Sequence, residues 1–131
     1  MKYLDFHQHY GMMDSPLNIK KVKISYNSEE LKEIYEKEIL KNCKKFNMVV
    51  AVNGCGYAGK ARFINRNDEV EAFFKKYPDY IIGVGYIDLD YDNPNYLDTL
   101  YKKGFKAIKV IWPNERYDSD KYYEFYKRCQ Y

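Results

Sequence analysis

The residues best suited to chemistry are His7 and His9, the only two histidines in the chain. They close the segment Tyr3–His9, whose pattern is typical of a short β-strand. Side chains alternate between the two faces of a strand, so both imidazoles share one face, and Asp5 is expected on that face as well. Imidazole nitrogens bind zinc and similar ions. The spacing therefore predicts a pair of metal-binding histidines, with two ordinary strand-end histidines as the alternative.

The composition limits the kinds of protein that the chain could be. Its 131 residues suit one domain with a real core, and the net charge of +3 is small. The lysines are spread over predicted helix faces, so we expect no nucleic-acid partner. No apolar run has the length of a membrane span or the pattern of a secretory signal, which predicts a cytoplasmic protein without a membrane partner. Three cysteines without a CxxC motif agree with a reducing compartment.

Strand-like and helix-like segments alternate four times along the chain. Apolar runs predict the strands, and residues at helical spacing follow each of them. The predicted strands are Tyr3–His9, Phe46–Val52, Tyr80–Ile87 and Phe105–Ile111, with helices that begin near Ser28, Asn67, Pro94 and Asp118. Apolar strands that alternate with helices indicate βαβ units around a parallel sheet with right-handed crossovers.

Several residues mark the ends and buried faces of the predicted helices. Asn67 is the expected N-cap of the second helix, and Gly104 is the expected glycine just past the third. Tyr101 is expected on the apolar face of the third helix, and Cys129 on that of the fourth. These assignments predict which side of each helix packs on the sheet.

Two segments lack this periodicity. The connection Tyr10–Asn27 is long for a compact domain, and we expect it to be functional or mobile. Gly54, Gly56 and Gly59 match the G-x-G-x-x-G pattern of phosphate-binding loops. However, no helix is expected to start directly after them, so we predict a turn and no phosphate site.

Polar groups follow each predicted strand at the edge where parallel α/β folds bind their ligands. Lys109 lies between two apolar residues near the end of the fourth strand, where a charged ammonium is costly to bury. It must reach the rim, pair with a carboxylate or be neutralised chemically. An alternative metal site would add Asp88, Asp90 or a partly exposed Cys55 to the two histidines.

The motif Asp5-x-His7-x-His9 at the end of the first strand resembles the opening signature of the amidohydrolase superfamily of metal-dependent (β/α)8 barrels. The segments Tyr77–Gly85 and Lys103–Val110 are similar to the third- and fourth-strand regions of its amidohydrolase-related branch. That branch includes hydrolases and the aminocarboxymuconate-semialdehyde decarboxylase group. The first motif also resembles the opening of the PHP phosphoesterase barrels, which match the later segments less well.

The resemblance implies a metal site and a reaction. His7 and His9 would bind zinc, or alternatively manganese, and the ion would activate water. The implied reaction is hydrolysis of C–N or C–O bonds, or decarboxylation, of a small-molecule substrate. Lys109 matches the position where some members carry a carboxylated, metal-bridging lysine, whereas other members of the branch have no such bridge. Asp5 would orient one of the histidines.

The length implies that only half of such a barrel is present. A (β/α)8 barrel needs roughly 250 residues, and this chain supplies about four of its eight units. We therefore expect residues 1–131 to form one α/β domain, the N-terminal half of a metal-dependent hydrolase barrel. The missing strands would carry two further histidines and an aspartate. Open sheet edges favour a homo-oligomer or a complementary second-half chain, and an inactive α/β binding or dimerisation module is the alternative.

Overall fold

The structure is a computed structural model that describes residues 2–10, 28–57 and 63–130. Most of the connection Tyr10–Asn27, and Gly59, lie outside the described residues. In chain order the elements are β1 (Tyr3–His9), α1 (Ser28–Phe46), β2 (Met48–Asn53), β3 (Cys55–Tyr57), β4 (Phe63–Asn65), α2 (Asn67–Lys76), β5 (Ile81–Tyr86), α3 (Tyr96–Lys103), β6 (Ala107–Lys109), a 3-10 turn (Asp120–Tyr122) and α4 (Tyr123–Arg128).

Four parallel strands form the main sheet, in the order β1-β2-β5-β6. Strands that are neighbours in this sheet also follow one another in the chain, and a helix lies between each successive pair. The sheet curls, so that these strands and helices form half of a (β/α) barrel. The prediction of a parallel α/β half barrel is thus confirmed. None of the helices in the described ranges has both the length and the apolar character needed to cross a membrane.

The core lies between the sheet and the helices that cover its convex face. Val50 and Val52 of β2 point toward this layer and are buried. The ring of Phe74 in α2 packs edge-on against Phe105, with 5.1 Å between the ring centroids. Gly83 in β5 makes room for this pair, because a Cβ atom there would lie 2.4 Å from the Phe74 ring. Burying a side chain of this kind stabilises the fold by about 1.5–3 kcal/mol.

A small second sheet interrupts the repeating pattern. β3 and β4 pair antiparallel, with Gly56 opposite Ile64. The sequence predicts only a turn over the glycine-rich segment, because glycine disfavours strands and three-residue strands give no alternation to recognise. The structure instead places Gly56 inside a strand, directly after the carboxyl end of β2.

The predictions at the helix ends are partly right. Gly104 ends α3 with φ 105°, and its N–H donates to the carbonyls of Leu100 and Tyr101, as predicted. The assignment of Tyr101 to the apolar face is wrong, since its side chain is exposed. The fourth helix begins later than Asp118, as a 3-10 turn followed by a short α4, and Cys129 is exposed at its end. Short helices bury only a narrow stripe, so residues at its margin stay in solvent.

Candidate functional site

The two histidines meet at the carboxyl end of β1. Their Nε2 atoms are 2.9 Å apart, and the rings are tilted by 59° with centroids 4.8 Å apart. On a tetrahedral ion with ligands at about 2.0–2.1 Å, two nitrogens lie about 3.3 Å apart. The two Nε2 atoms are thus within hydrogen-bond distance of each other, and their separation is about 0.4 Å shorter than that of two ligands of one ion.

A backbone carbonyl and a tyrosine hydroxyl hold His9 in place. Its Nδ1 atom lies 3.0 Å from the carbonyl oxygen of Cys55. Because a carbonyl only accepts hydrogen bonds, Nδ1 carries a proton, and in the neutral ring Nε2 then carries the lone pair. The hydroxyl of Tyr35 also donates to the His9 carbonyl at 2.6 Å. Metal-binding histidines typically donate their second ring N–H in this way, so His9 fits the role of a ligand through Nε2.

His7 is more exposed than His9, and its surroundings favour the neutral ring. Partial burial, then the positive charges of Lys109 and His9, lower the pKa of His7, while Asp5 acts in the opposite direction. The Asp5 carboxylate accepts a hydrogen bond from the backbone N–H of His7 at 3.1 Å. A metal ligand must be unprotonated, and these effects favour that form at neutral pH.

Asp5 does not share a face with the histidines, and that prediction is wrong. The pairing of β1 with β2 shifts between Asp5 and Gln8, as in a β-bulge: Asp5 is opposite Val50, and Gln8 is opposite Val52. Three steps along β1 thus match two along β2, which places both polar side chains on the side of α1. The Gln8 amide donates to the Asp5 carboxylate at 2.8 Å. Asp5 reaches the site only through the backbone of His7.

Lys109 closes the fourth strand of the main sheet. It is half-buried and lies opposite Tyr86 of β5. Its neighbour Ile108 packs against the core, so alternation directs Lys109 to the concave face. Its positive charge lowers the pKa values of His7 and Cys55. The curl of the sheet thus brings the first and fourth strands within electrostatic reach of each other.

The acidic residues after β5 have other partners. The carboxylate of Asp90 accepts hydrogen bonds from the Lys121 ammonium, the Tyr122 hydroxyl and the Asn114 N–H, each at 2.7 Å. Asp88 accepts from the backbone N–H of Asp90 at 3.1 Å. Within residues 2–10, 28–57 and 63–130, no three His, Cys, Asp or Glu side chains are grouped so as to hold a metal. The alternative site with Asp88 or Asp90 gains no support from this geometry.

Cys55 is buried, contrary to the expectation of partial exposure. Its side chain is 1% exposed, and it lies in β3, which directly follows β2 and pairs with β4. Burial raises the pKa of the Cys55 thiol to about 11, and the charge of Lys109 only partly offsets this. The thiolate is the form that binds zinc, and burial disfavours it here. Cys55 therefore contributes its backbone carbonyl, which holds His9.

Thiol labelling tests this burial. Cys43 and Cys55 are buried, whereas Cys129 is exposed. We expect a thiol reagent to modify one cysteine of the native protein, Cys129, and all three after denaturation, which mass spectrometry of peptides can show. The Cys129→Ser variant should show almost no native labelling. Fast native modification of Cys55 would contradict the buried position.

Two buried asparagines, Asn53 and Asn67, hold the strand ends of the site together. The Asn53 amide donates to the Gln8 carbonyl at 2.8 Å and accepts from the Cys55 N–H at 3.1 Å. The Asn67 amide donates to the Tyr86 carbonyl at 2.9 Å and accepts from the Tyr86 N–H at 2.7 Å. The N-cap predicted at Asn67 is wrong, because its side chain bonds to β5. A buried asparagine and a capping one look alike in sequence.

Comparisons with known proteins bear on the fold. No protein-family model matches the chain, and no curated protein matches it in sequence. The structure is similar to a crystal structure described as a probable 2-pyrone-4,6-dicarboxylic acid hydrolase from Acinetobacter baumannii with citric acid bound, with a TM-score of 0.62 and 13% identity. The match covers 99% of this chain and 46% of that one, so the chain spans about half the length of this hydrolase. It shows a shared fold.

Proposed function

We propose that the chain forms the N-terminal half of a metal-dependent hydrolase barrel of the amidohydrolase type, with His7 and His9 as metal ligands. The observation that carries the proposal is the approach of the two Nε2 atoms to 2.9 Å, with His9 held by the Cys55 carbonyl. The half-barrel fold, shared with a hydrolase, supports it. Zinc is the first choice of metal and manganese the second, because imidazole suits zinc, whereas manganese prefers oxygen ligands.

Each residue of the proposed site has a separate task. A bound divalent ion would act as a Lewis acid that polarises the substrate and acidifies water. The Cys55 carbonyl keeps the His9 ring in the ligand-competent tautomer, and the Tyr35 hydroxyl holds the His9 backbone. The surroundings of His7 keep its ring neutral. The reaction would be hydrolysis of a C–N or C–O bond, or decarboxylation, of a small molecule, with further groups supplied by the other half of the barrel.

Lys109 has two possible tasks at this site. As an ammonium it would bind an anionic group of the substrate and favour neutral His7. As a carbamate it would be a third ligand: the neutral amine adds to carbon dioxide, a C–N bond forms and one proton is released. The two states differ in charge, so Lys109→Ala should weaken metal binding in the second case and strengthen it in the first.

Metal titration of histidine variants tests the proposal. We expect the purified protein to bind zinc, and His7→Ala or His9→Ala to weaken zinc binding by roughly 100-fold or more, since each removes one ligand. Metal content can be measured by inductively coupled plasma mass spectrometry and affinity by competition with a chelating dye.

Gln8→Ala is the matched control, because Gln8 lies between the histidines but points toward α1, and this variant should keep its zinc. Zinc binding that survives in the double variant His7→Ala/His9→Ala would overturn the proposal. A folded protein without zinc or manganese would indicate the inactive α/β module. If metal binds, phosphate esters compared with carboxylate esters and amides would separate the PHP phosphoesterase alternative from the amidohydrolase type.

A further inference from the structure

The main sheet has two open edges within the described residues, at β1 and at β6. Each edge strand pairs on one side only, which leaves backbone groups on the other side available to another strand. The concave face near the β1 edge also carries apolar side chains. Leu4 and Phe6 are 52% and 68% exposed, and they alternate with Asp5, which points to the helix side. The interior of a closed barrel would cover these residues.

The convex side of the β1 edge is also incomplete. A groove of about 400 Å³ runs between β1 and α1, and its lining includes apolar side chains of α1 that are exposed at their margins. Ile34 is 44% and Phe46 52% exposed. In a (β/α) barrel a helix covers each adjacent pair of strands. α4 follows β6, the last strand of this sheet, and packs beside α3. In a closed barrel it would cover β6 and the strand paired with the open edge of β6.

We propose that two copies of this chain close one eight-stranded barrel, related by a twofold axis that coincides with the barrel axis. Such an axis keeps all strands parallel and pairs β6 of each copy with β1 of the other. The order becomes β1-β2-β5-β6 twice around the ring. Eight parallel strands close into a barrel whose interior is filled by side chains. Twofold symmetry is the commonest symmetry of soluble oligomers. Both open edges, the apolar concave face and the α1 groove are covered in this one step.

A second copy suits this role because it also completes the site, a consequence that rests on the proposed function. The twofold axis brings the two histidine pairs to the same mouth of the barrel, facing each other across the axis. Four imidazoles are the number of ligands that zinc takes in a tetrahedral site. One chain alone offers two of them. The assembly therefore holds one ion between two chains, with Lys109 of each copy beside β1 of the other.

The mass of the protein in solution tests the assembly. Sedimentation equilibrium or light scattering should give twice the mass of one chain. Leu4→Glu and Phe6→Glu each place a carboxylate inside the closed barrel, and each should raise the dimer dissociation constant by roughly 100-fold. Both positions are largely exposed in the single chain, so the circular dichroism of the monomer should be unchanged. Tyr101→Glu is the control, because Tyr101 is 76% exposed on α3, and it should stay dimeric.

Metal content of the same samples separates this inference from the proposed function. The double variant His7→Ala/His9→Ala should remain a dimer and lose its zinc, since strand pairing does not need the imidazoles. A zinc-free dimer of the unmodified chain would overturn the shared metal site and the proposed function but leave the closed barrel. A monomeric protein that binds zinc would overturn the closed barrel alone. A dimer that persists in both glutamate variants, or one ion in every chain, would also overturn the assembly as described.

Discussion

Asn67→Ala is expected to lower the free energy of unfolding by about 2–5 kcal/mol. The Asn67 side chain is buried and satisfies both the N–H and the carbonyl of Tyr86 at the end of β5. Alanine would remove the side-chain partner of both backbone groups, and the loss of a partner by a buried group costs about 1–3 kcal/mol. Gly54 packs directly against this side chain, since a Cβ atom at Gly54 would lie 2.2 Å from the Asn67 oxygen.

Urea unfolding followed by circular dichroism measures this loss. Asn95→Ala is the matched control: Asn95 is exposed directly before α3, and its side chain makes no capping hydrogen bond. The control should change stability by less than about 0.5 kcal/mol. Equal midpoints for the two variants would show that Asn67 does not join α2 to β5. Because this join lies beside Cys55, Asn67→Ala should also loosen the carbonyl that orients His9.

Asp90→Asn is expected to destabilise the protein at neutral pH by about 1–3 kcal/mol, the range for hydrogen bonds to a charged group. The hydrogen bond from Lys121, and then those from Tyr122 and Asn114, lower the pKa of Asp90 from 3.8 to about 2. A carboxylate with a depressed pKa stabilises the fold above its ordinary pKa and loses this effect as the pH falls through its folded value. The difference between the two proteins should therefore shrink from pH 4 toward pH 2.

Unfolding free energies of both proteins between pH 7 and pH 2 test this dependence. The control is Asp98→Asn, because Asp98 pairs with Arg128 at 2.7 Å but its side chain is half exposed. Exposed ion pairs contribute little, so we expect a change below about 1 kcal/mol. If the difference in unfolding free energy between Asp90→Asn and the unmodified protein stayed constant down to pH 2, the charge of Asp90 would not stabilise its contacts with Asn114, Lys121 and Tyr122.

Local patterns were sufficient to predict the elements of the main sheet. Helical spacing and apolar runs of four to eight residues depend on which neighbours share a face, and a parallel sheet follows from their alternation. The boundaries of β1 and the terminating role of Gly104 were predicted correctly, since both depend on residues close in sequence. The convergence of the two imidazoles follows from strand alternation in the same way.

Other features depend on contacts between distant segments. The faces of Asp5 and Gln8 were decided by the bulge in β1, which appears only in its pairing with β2. The burial of Cys55 was decided by the hairpin of β3 and β4, whose short strands carry no period. The partners of Asp90 come from a segment more than 20 residues later in the chain. No local pattern encodes such contacts.

By itself, the sequence determined which segments become strands and helices, their parallel alternation and the position of both histidines at one strand end. These are set by interactions between near neighbours along the chain, where side-chain spacing translates directly into a shared face. Only the tertiary structure decided which groups surround the histidines: the Cys55 carbonyl on His9, Lys109 from the fourth strand, and Asp5 turned away. Those contacts arise from sheet curvature and an irregular strand register, which result from packing of the whole chain.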